Sequence, residues 1–172
     1  DGGTLFPSNM AIASTGNPSN AYLQGEITAK EAKSLGVHMV FSPVLDINNN
    51  PLNPIINLRS YGDNPQIVSE YGVSFLKGVQ SQGVFACGKH FPGHGDTATD
   101  SHSSLPLIDT SIDSLYSNEL VPFKSAIENI ISSQTGGAQQ HINRQNVFDA
   151  NLLVPKKEVM DKYFKTSKPI LD

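Results

Sequence analysis

A chain of 172 residues has room for one domain of ordinary size, and it is too short for a complete eight-fold β/α barrel, which takes roughly 250 residues. Hydrophobic residues make up 38% and charged residues 16%, a balance that fits a globular protein and excludes both a membrane-embedded and a disordered one. The net charge of −4 and the scattered lysines supply no basic footprint for nucleic acid, so a neutral or acidic small substrate fits better. The single cysteine, Cys87, rules out an intramolecular disulfide framework without deciding between a cytoplasmic and a periplasmic or exported location.

In chain order, Asn17 to Ser19 supplies capping residues for a helix with an inner face of Ala21, Gly25, Thr28, Ala32 and Leu35, stopping at Gly36. Val37 to Phe41 then reads as a buried strand closed by Ser42-Pro43. The stretch from Asn48 to Pro54 is too polar and too interrupted for a regular element. It predicts a long loop that delivers the following residues, up to Arg59, to a site.

Asn64-Pro65 starts a second helix through Ile67, Val68, Tyr71, Phe75 and Val79, stopping near Gly83, and Val84 to Cys87 follows as a second short strand. A loop rich in glycine and histidine runs from Gly88 to Pro106. Beyond it, a helix from about Asp113 presents Leu120, Phe123, Ile127 and Ile130. Two consecutive strand–loop–helix units predict an α/β fold with parallel neighbouring strands, in which Asp46, Lys89 and His90 open from the strand ends onto one face.

The densest chemistry lies directly after the second strand, where Lys89, His90, His94, Asp96, Asp100 and His102 fall within fourteen positions among glycines and a proline. Such a loop suits close approach to a ligand. Two kinds of site remain open on residue types alone. His90, His94, Asp96, Asp100 and His102 could supply nitrogen and oxygen ligands to zinc in a metal-dependent hydrolase, although no defined zinc motif is present. The same residues suit acid–base chemistry on a polyhydroxylated substrate, because an imidazole exchanges protons near neutral pH and carboxylates orient it.

The segment Lys89-His90-Phe91-Pro92-Gly93-His94-Gly95, followed by Asp100-Ser101-His102, resembles the signature of the bacterial β-N-acetylglucosaminidase branch of the family 3 glycoside hydrolases. Phe6 to Met10, Phe41 to Asp46 and Asn57 to Gly62 are similar to family segments in the family's order, and the resemblance runs from about residue 5 to residue 130. It implies a (β/α)8 TIM barrel, of which residues 1–172 would be a single, incomplete N-terminal catalytic domain with the remainder of the barrel missing. It also implies retaining, exo-acting hydrolysis of cell-wall or chitin-derived saccharides with N-acetylglucosamine at the non-reducing end. No metal, organic cofactor, nucleic acid or membrane span is implied, and little or no activity is expected of this chain by itself.

By the same resemblance, His102 is the general acid/base and Asp100 its partner, while Lys89, His90, Asp46 and Arg59 contact sugar hydroxyls. The nucleophilic aspartate has its counterpart in Asp172, at the end of Lys168-Pro169-Ile170-Leu171-Asp172. From Ser132 to Gln140 the resemblance fails: a buried strand is expected there, and Ser-Ser-Gln-Thr-Gly-Gly-Ala-Gln-Gln lacks the Val, Ile and Leu such a strand needs. That departure leaves a noncatalytic sugar-binding remnant as a further reading.

Overall fold

Pairing between the two short strands organises the computed structural model, which describes residues 2–97 and 110–133. Strand β1 (Met39–Val40) runs parallel to β2 (Phe85–Ala86), with Met39 opposite Phe85 and Val40 opposite Ala86. Phe85 N donates to His38 O at 2.9 Å and Cys87 N to Val40 O at 3.0 Å. Pro43 cannot donate to the ladder, and the pairing lapses there. It resumes at a parallel bridge between Val44 and Lys89, where Leu45 N donates to Lys89 O at 2.6 Å. Four steps of chain from Val40 to Val44 face three from Ala86 to Lys89, a one-residue bulge that turns Val44, Leu45, Asp46 and Ile47 inward.

Before the bulge the strand is barely buried, contrary to the expectation for Val37 to Phe41. Val37, Met39 and Phe41 are 41%, 48% and 68% exposed, and Phe85 opposite is 67% exposed. Val40 and Ala86 on the other face pack against the core built around the helices. Side chains alternate across a strand, so one face of this small sheet is covered and the other is bare among the described residues.

Five α-helices and a 3-10 turn at Asn57–Arg59 accompany the strands among the described residues, the helices being α1 (Asn9–Ala13), α2 (Ser19–Ser34), α3 (Pro65–Ser81), α4 (Ile112–Ser117) and α5 (Val121–Ser133). The start of α3 is as expected: Asn64 Oδ1 accepts from Gln66 N at 2.8 Å and Ile67 N at 3.2 Å, and Pro65 sits where no N–H is needed. Its buried face carries Val68, Tyr71, Phe75, Leu76 and Val79, with Ile67 turned partly outward. Through these residues α3 packs against both α2 and α5. Burial pushes the Tyr61 phenol up from its ordinary pKa, because the ring lies in this core beside Tyr71.

Two helix expectations are corrected. Leu35 is 82% exposed, since α2 ends at Ser34 and its buried residues are Ala21, Gly25 and Ala29. The helix expected from about Asp113 is divided by a turn at residues 118–120. Pro122 has no N–H with which to continue the first segment, whereas in the first turn of a new helix none is needed. Leu115, Leu120, Phe123 and Ala126 still reach a common core with Leu45 and Leu76. No helix among the described residues is long and apolar enough to cross a membrane.

Helices α2 and α3 meet where each has a glycine. A Cβ on Gly25 would fall on the Phe75 carbonyl oxygen, and one on Gly78 would fall on the Tyr22 carbonyl oxygen. Backbone cannot move aside as a side-chain tip can. Gly25→Ala and Gly78→Ala should therefore each destabilise the chain by about 1–3 kcal/mol, despite alanine's better helix propensity of about 1 kcal/mol. The check is the urea midpoint of each variant, and an unchanged or raised midpoint would contradict this packing.

Candidate functional site

The bulge after Pro43 carries Asp46 into the protein, where its side chain has no solvent exposure. Its oxygens are met by three N–H groups. His90 N lies 3.2 Å from both, His94 N donates to Oδ1 at 2.8 Å, and His90 Nδ1 stands 2.6 Å from Oδ2. A carboxylate only accepts, so this last contact places a proton on Nδ1, and in the neutral ring Nε2 is then the acceptor. The backbone of Asp46 is held as well, since the Ser60 hydroxyl donates to its carbonyl at 2.6 Å.

His94 belongs to the same knot. It is 7% exposed, its Nδ1 lies 2.6 Å from Thr97 Oγ1, and its ring meets that of His90 edge-on with centroids 6.0 Å apart. Among the described residues its Nε2 is buried without a hydrogen-bond partner. The Glu119 side chain packs against Gly93, next to His94 in the chain, and its Oε1 accepts from Asn49 Nδ2 at 3.2 Å.

Lys89 and Arg59 come together in a different way. Both line an open cleft of about 320 Å³, together with Ser8, Asn9, Ser42, Val44 and Leu58. That volume lies at the low end of small-molecule sites, which run from roughly 300 to 1,000 Å³. Arg59 is braced from its own turn by Nη1 donating to Ile55 O at 3.1 Å, and Asn9 Nδ2 donates to Arg59 O at 2.7 Å. Ser8 caps α1, its hydroxyl accepting from Ala11 N at 3.3 Å. Two cations among hydroxyls and an apolar wall suit a polyhydroxylated ligand, whose hydroxyls accept from the cations and exchange bonds with serine.

The expected sugar-contacting residues thus divide into two groups, although Lys89 and His90 are neighbours in the chain. Lys89 and Arg59 share the cleft, whereas Asp46 and His90 pair with each other and do not line it. The Asp46 carboxylate is turned to His90 and His94. Asp100, His102 and Asp172 lie outside the described residues. The zinc reading draws on Asp100 and His102 too, and among the described residues no three His, Cys, Asp or Glu side chains are grouped to hold a metal ion. The cleft residues Ser8, Asn9 and Ser42 carry no signal as single residues, although Ser8 and Asn9 belong to the Phe6 to Met10 segment and Ser42 to the Phe41 to Asp46 segment.

A parallel α/β unit whose His90 and His94 are bonded to a buried carboxylate beside a polar cleft defines the architecture, and comparison with known proteins then supplies its kinship. Residues 1–134 match the model of the glycosyl hydrolase family 3 N-terminal domain. The chain is 41% identical over 133 residues to beta-hexosaminidase A of Pseudoalteromonas piscicida, an overlap of 73% of this chain and 21% of that protein. Among solved structures it is similar to a family 3 beta-N-acetylglucosaminidase from Paenibacillus sp. strain FPU-7, with a TM-score of 0.72 and 45% identity over 74% of this chain and 24% of that one. It is also similar to NagZ of Neisseria gonorrhoeae in complex with N-trifluoroacetyl-D-glucosamine, with a TM-score of 0.68 and 32% identity over 74% of this chain and 40% of that one.

The chain belongs to glycoside hydrolase family 3. It spans 21% to 40% of the lengths of these three relatives.

The Asp46 knot makes its own prediction. Asp46→Ala removes both acceptor oxygens and leaves the N–H groups of His90 and His94 around them without a partner. Leaving a buried donor unpaired costs about 1–3 kcal/mol, so the variant should unfold at correspondingly lower urea. An unchanged urea midpoint would mean that the carboxylate does not hold the histidine loop.

Proposed function

We propose that this chain supplies part of the catalytic domain of a retaining, exo-acting β-N-acetylglucosaminidase. The observation that carries the reading is the half-buried His90 paired with the fully buried Asp46 and following directly on Lys89, which shares the cleft with Arg59: a carboxylate-ordered imidazole beside a site with two cations. Family membership supports it, as do relatives named as beta-hexosaminidase and beta-N-acetylglucosaminidase. The substrate is a small saccharide with N-acetylglucosamine at its non-reducing end, drawn from cell-wall or chitin-derived material, and no cofactor is required.

In this reading the domain is a (β/α)8 barrel to which these residues contribute neighbouring β/α units. Helices on one face of a parallel pair, with an apolar face left bare by Met39, Phe41 and Phe85, support a sheet that continues and closes on itself. By itself, the 172-residue chain then has little or no activity.

Lys89 and Arg59 hold sugar hydroxyls, and Asp46 sets the ring of His90 so that Nε2 can accept from another. A carboxylate, assigned to Asp172, attacks the anomeric carbon and forms a glycosyl-enzyme as the bond to the leaving oxygen breaks. His102 donates its proton to that oxygen and then takes a proton from the water that releases the sugar, while Asp100 steadies the imidazolium.

The test is made in the full-length protein. His102→Ala should slow a substrate with a poor leaving group by about 10²–10⁴-fold and leave an activated aryl glycoside far less affected, because only the former needs protonation. Equal losses on both substrates would reject His102 as the acid/base. Asp172→Ala should abolish both reactions and the trapping of a covalent sugar by a slow fluorinated substrate, and retained turnover would move the nucleophile elsewhere.

A further inference from the structure

We propose that Asn53, which touches no part of the cleft, is a positioning residue that locks the turn bearing Arg59 onto the turn bearing His90 and His94. The proposal rests on reading the cleft as a saccharide site. Asn53 is 2% exposed and uses both ends of its amide. Oδ1 accepts from Ile55 N and Ile56 N, each at 2.8 Å, and so shapes its own turn. Nδ2 donates to His94 O at 2.7 Å and Gly95 O at 3.0 Å, forty-one and forty-two residues further along the chain.

The orientation of the amide is set by its neighbours, two N–H groups on one side and two carbonyls on the other. From Asn53 the connection continues in both directions. Ile55 O accepts from Arg59 Nη1 at 3.1 Å and Ile56 O accepts from Arg59 N at 2.8 Å, which fixes the cation that lines the cleft. His94 N donates to Asp46 at 2.8 Å, and Asp46 orders the ring of His90. One buried amide therefore couples the two groups of candidate sugar ligands that the cleft itself does not join.

Aspartate has the same shape with acceptors at both ends, which makes Asn53→Asp a selective probe. It keeps the bonds from Ile55 and Ile56 and turns the bond to His94 and Gly95 into a repulsion between oxygens. Burial beside carbonyls raises a carboxyl pKa, so acidification protonates the new side chain and restores an O–H donor. Asn53→Ala has no such recovery.

The experiment combines residue-resolved hydrogen exchange with kinetics on the full-length protein and an aryl N-acetyl-β-glucosaminide. In Asn53→Asp the amides of Ile55 and Ile56 should stay protected, while that of His94 exchanges about tenfold faster or more. KM should rise about tenfold at pH 7.5, with a smaller change in kcat, and the ratio to wild type should recover towards pH 5 in Asn53→Asp only. In the wild type the two side-chain amide protons of Asn53 should exchange slowly, a reading that needs no variant to fold.

Fast exchange of those protons, an unchanged His94 amide, or the same pH recovery in Asn53→Ala would overturn the proposal. A wild type without glycosidase activity but with the expected exchange pattern rejects the proposed function and keeps the lock. An active wild type with unchanged exchange in Asn53→Asp does the reverse.

Discussion

A carboxylate removed from water is tolerated only when hydrogen-bond donors replace its hydration, and Asp46 is fully buried with three N–H groups around it. Much of the architecture serves that arrangement. The bulge after Pro43 turns Asp46 inward, Ser60 ties its backbone, and the end of β2 delivers His90 and His94 to it. The bonds run between segments more than forty residues apart, so the carboxylate also works as a cross-link between the two strand-end loops. Losing it would leave N–H donors unpaired in a place that water does not reach.

The loop can approach Asp46 so closely because its glycine spacing permits it. A Cβ on Gly95 would fall on the Ile47 carbonyl oxygen, so no other residue fits there without moving backbone. The same approach brings the His94 and Gly95 carbonyls within reach of Asn53. Steric permission at Gly95 and polar satisfaction at Asp46 and Asn53 are thus two aspects of one contact. Together they keep the loop that follows β2 against the core while Lys89, at its base, faces the cleft.

Much of this was legible in the residues because it depends on local chemistry. Asn64-Pro65 caps and starts α3 through bonds within three positions, and the spacing of Val68, Tyr71, Phe75 and Val79 announces its buried face. The parallel pairing of β1 and β2 follows from helices placed between short apolar runs. The Lys89 to Gly95 motif carried the family, and the family match ends at residue 134, within the Ser132 to Gln140 stretch where the motif-based likeness fails. Other features depend on partners distant in sequence and had no local mark. Apolarity at Val37, Met39 and Phe41 signals a strand but not which face is covered, and Asn53 in an Asn-rich loop does not differ from its neighbours until its amide is seen to join two turns.

The bare face of the sheet and the two-part site have a common explanation in the direction of the strands. In parallel α/β folds, ligand-binding groups gather beyond the carboxyl ends of the strands, and that is where Asp46, Lys89 and His90 lie. The cleft takes residues from these two strand ends and from the segments holding Ser8, Asn9, Leu58 and Arg59, and each further strand would add another loop to its rim. Met39, Phe41 and Phe85 point away from the helices, and in a closed barrel that direction is the interior, which side chains from every strand fill in layers. If the sheet closes as proposed, the closure that buries those three side chains would also bring further strand-end loops around Lys89 and Arg59, so in that reading the packing of the sheet and the completion of the proposed saccharide site are one structural requirement.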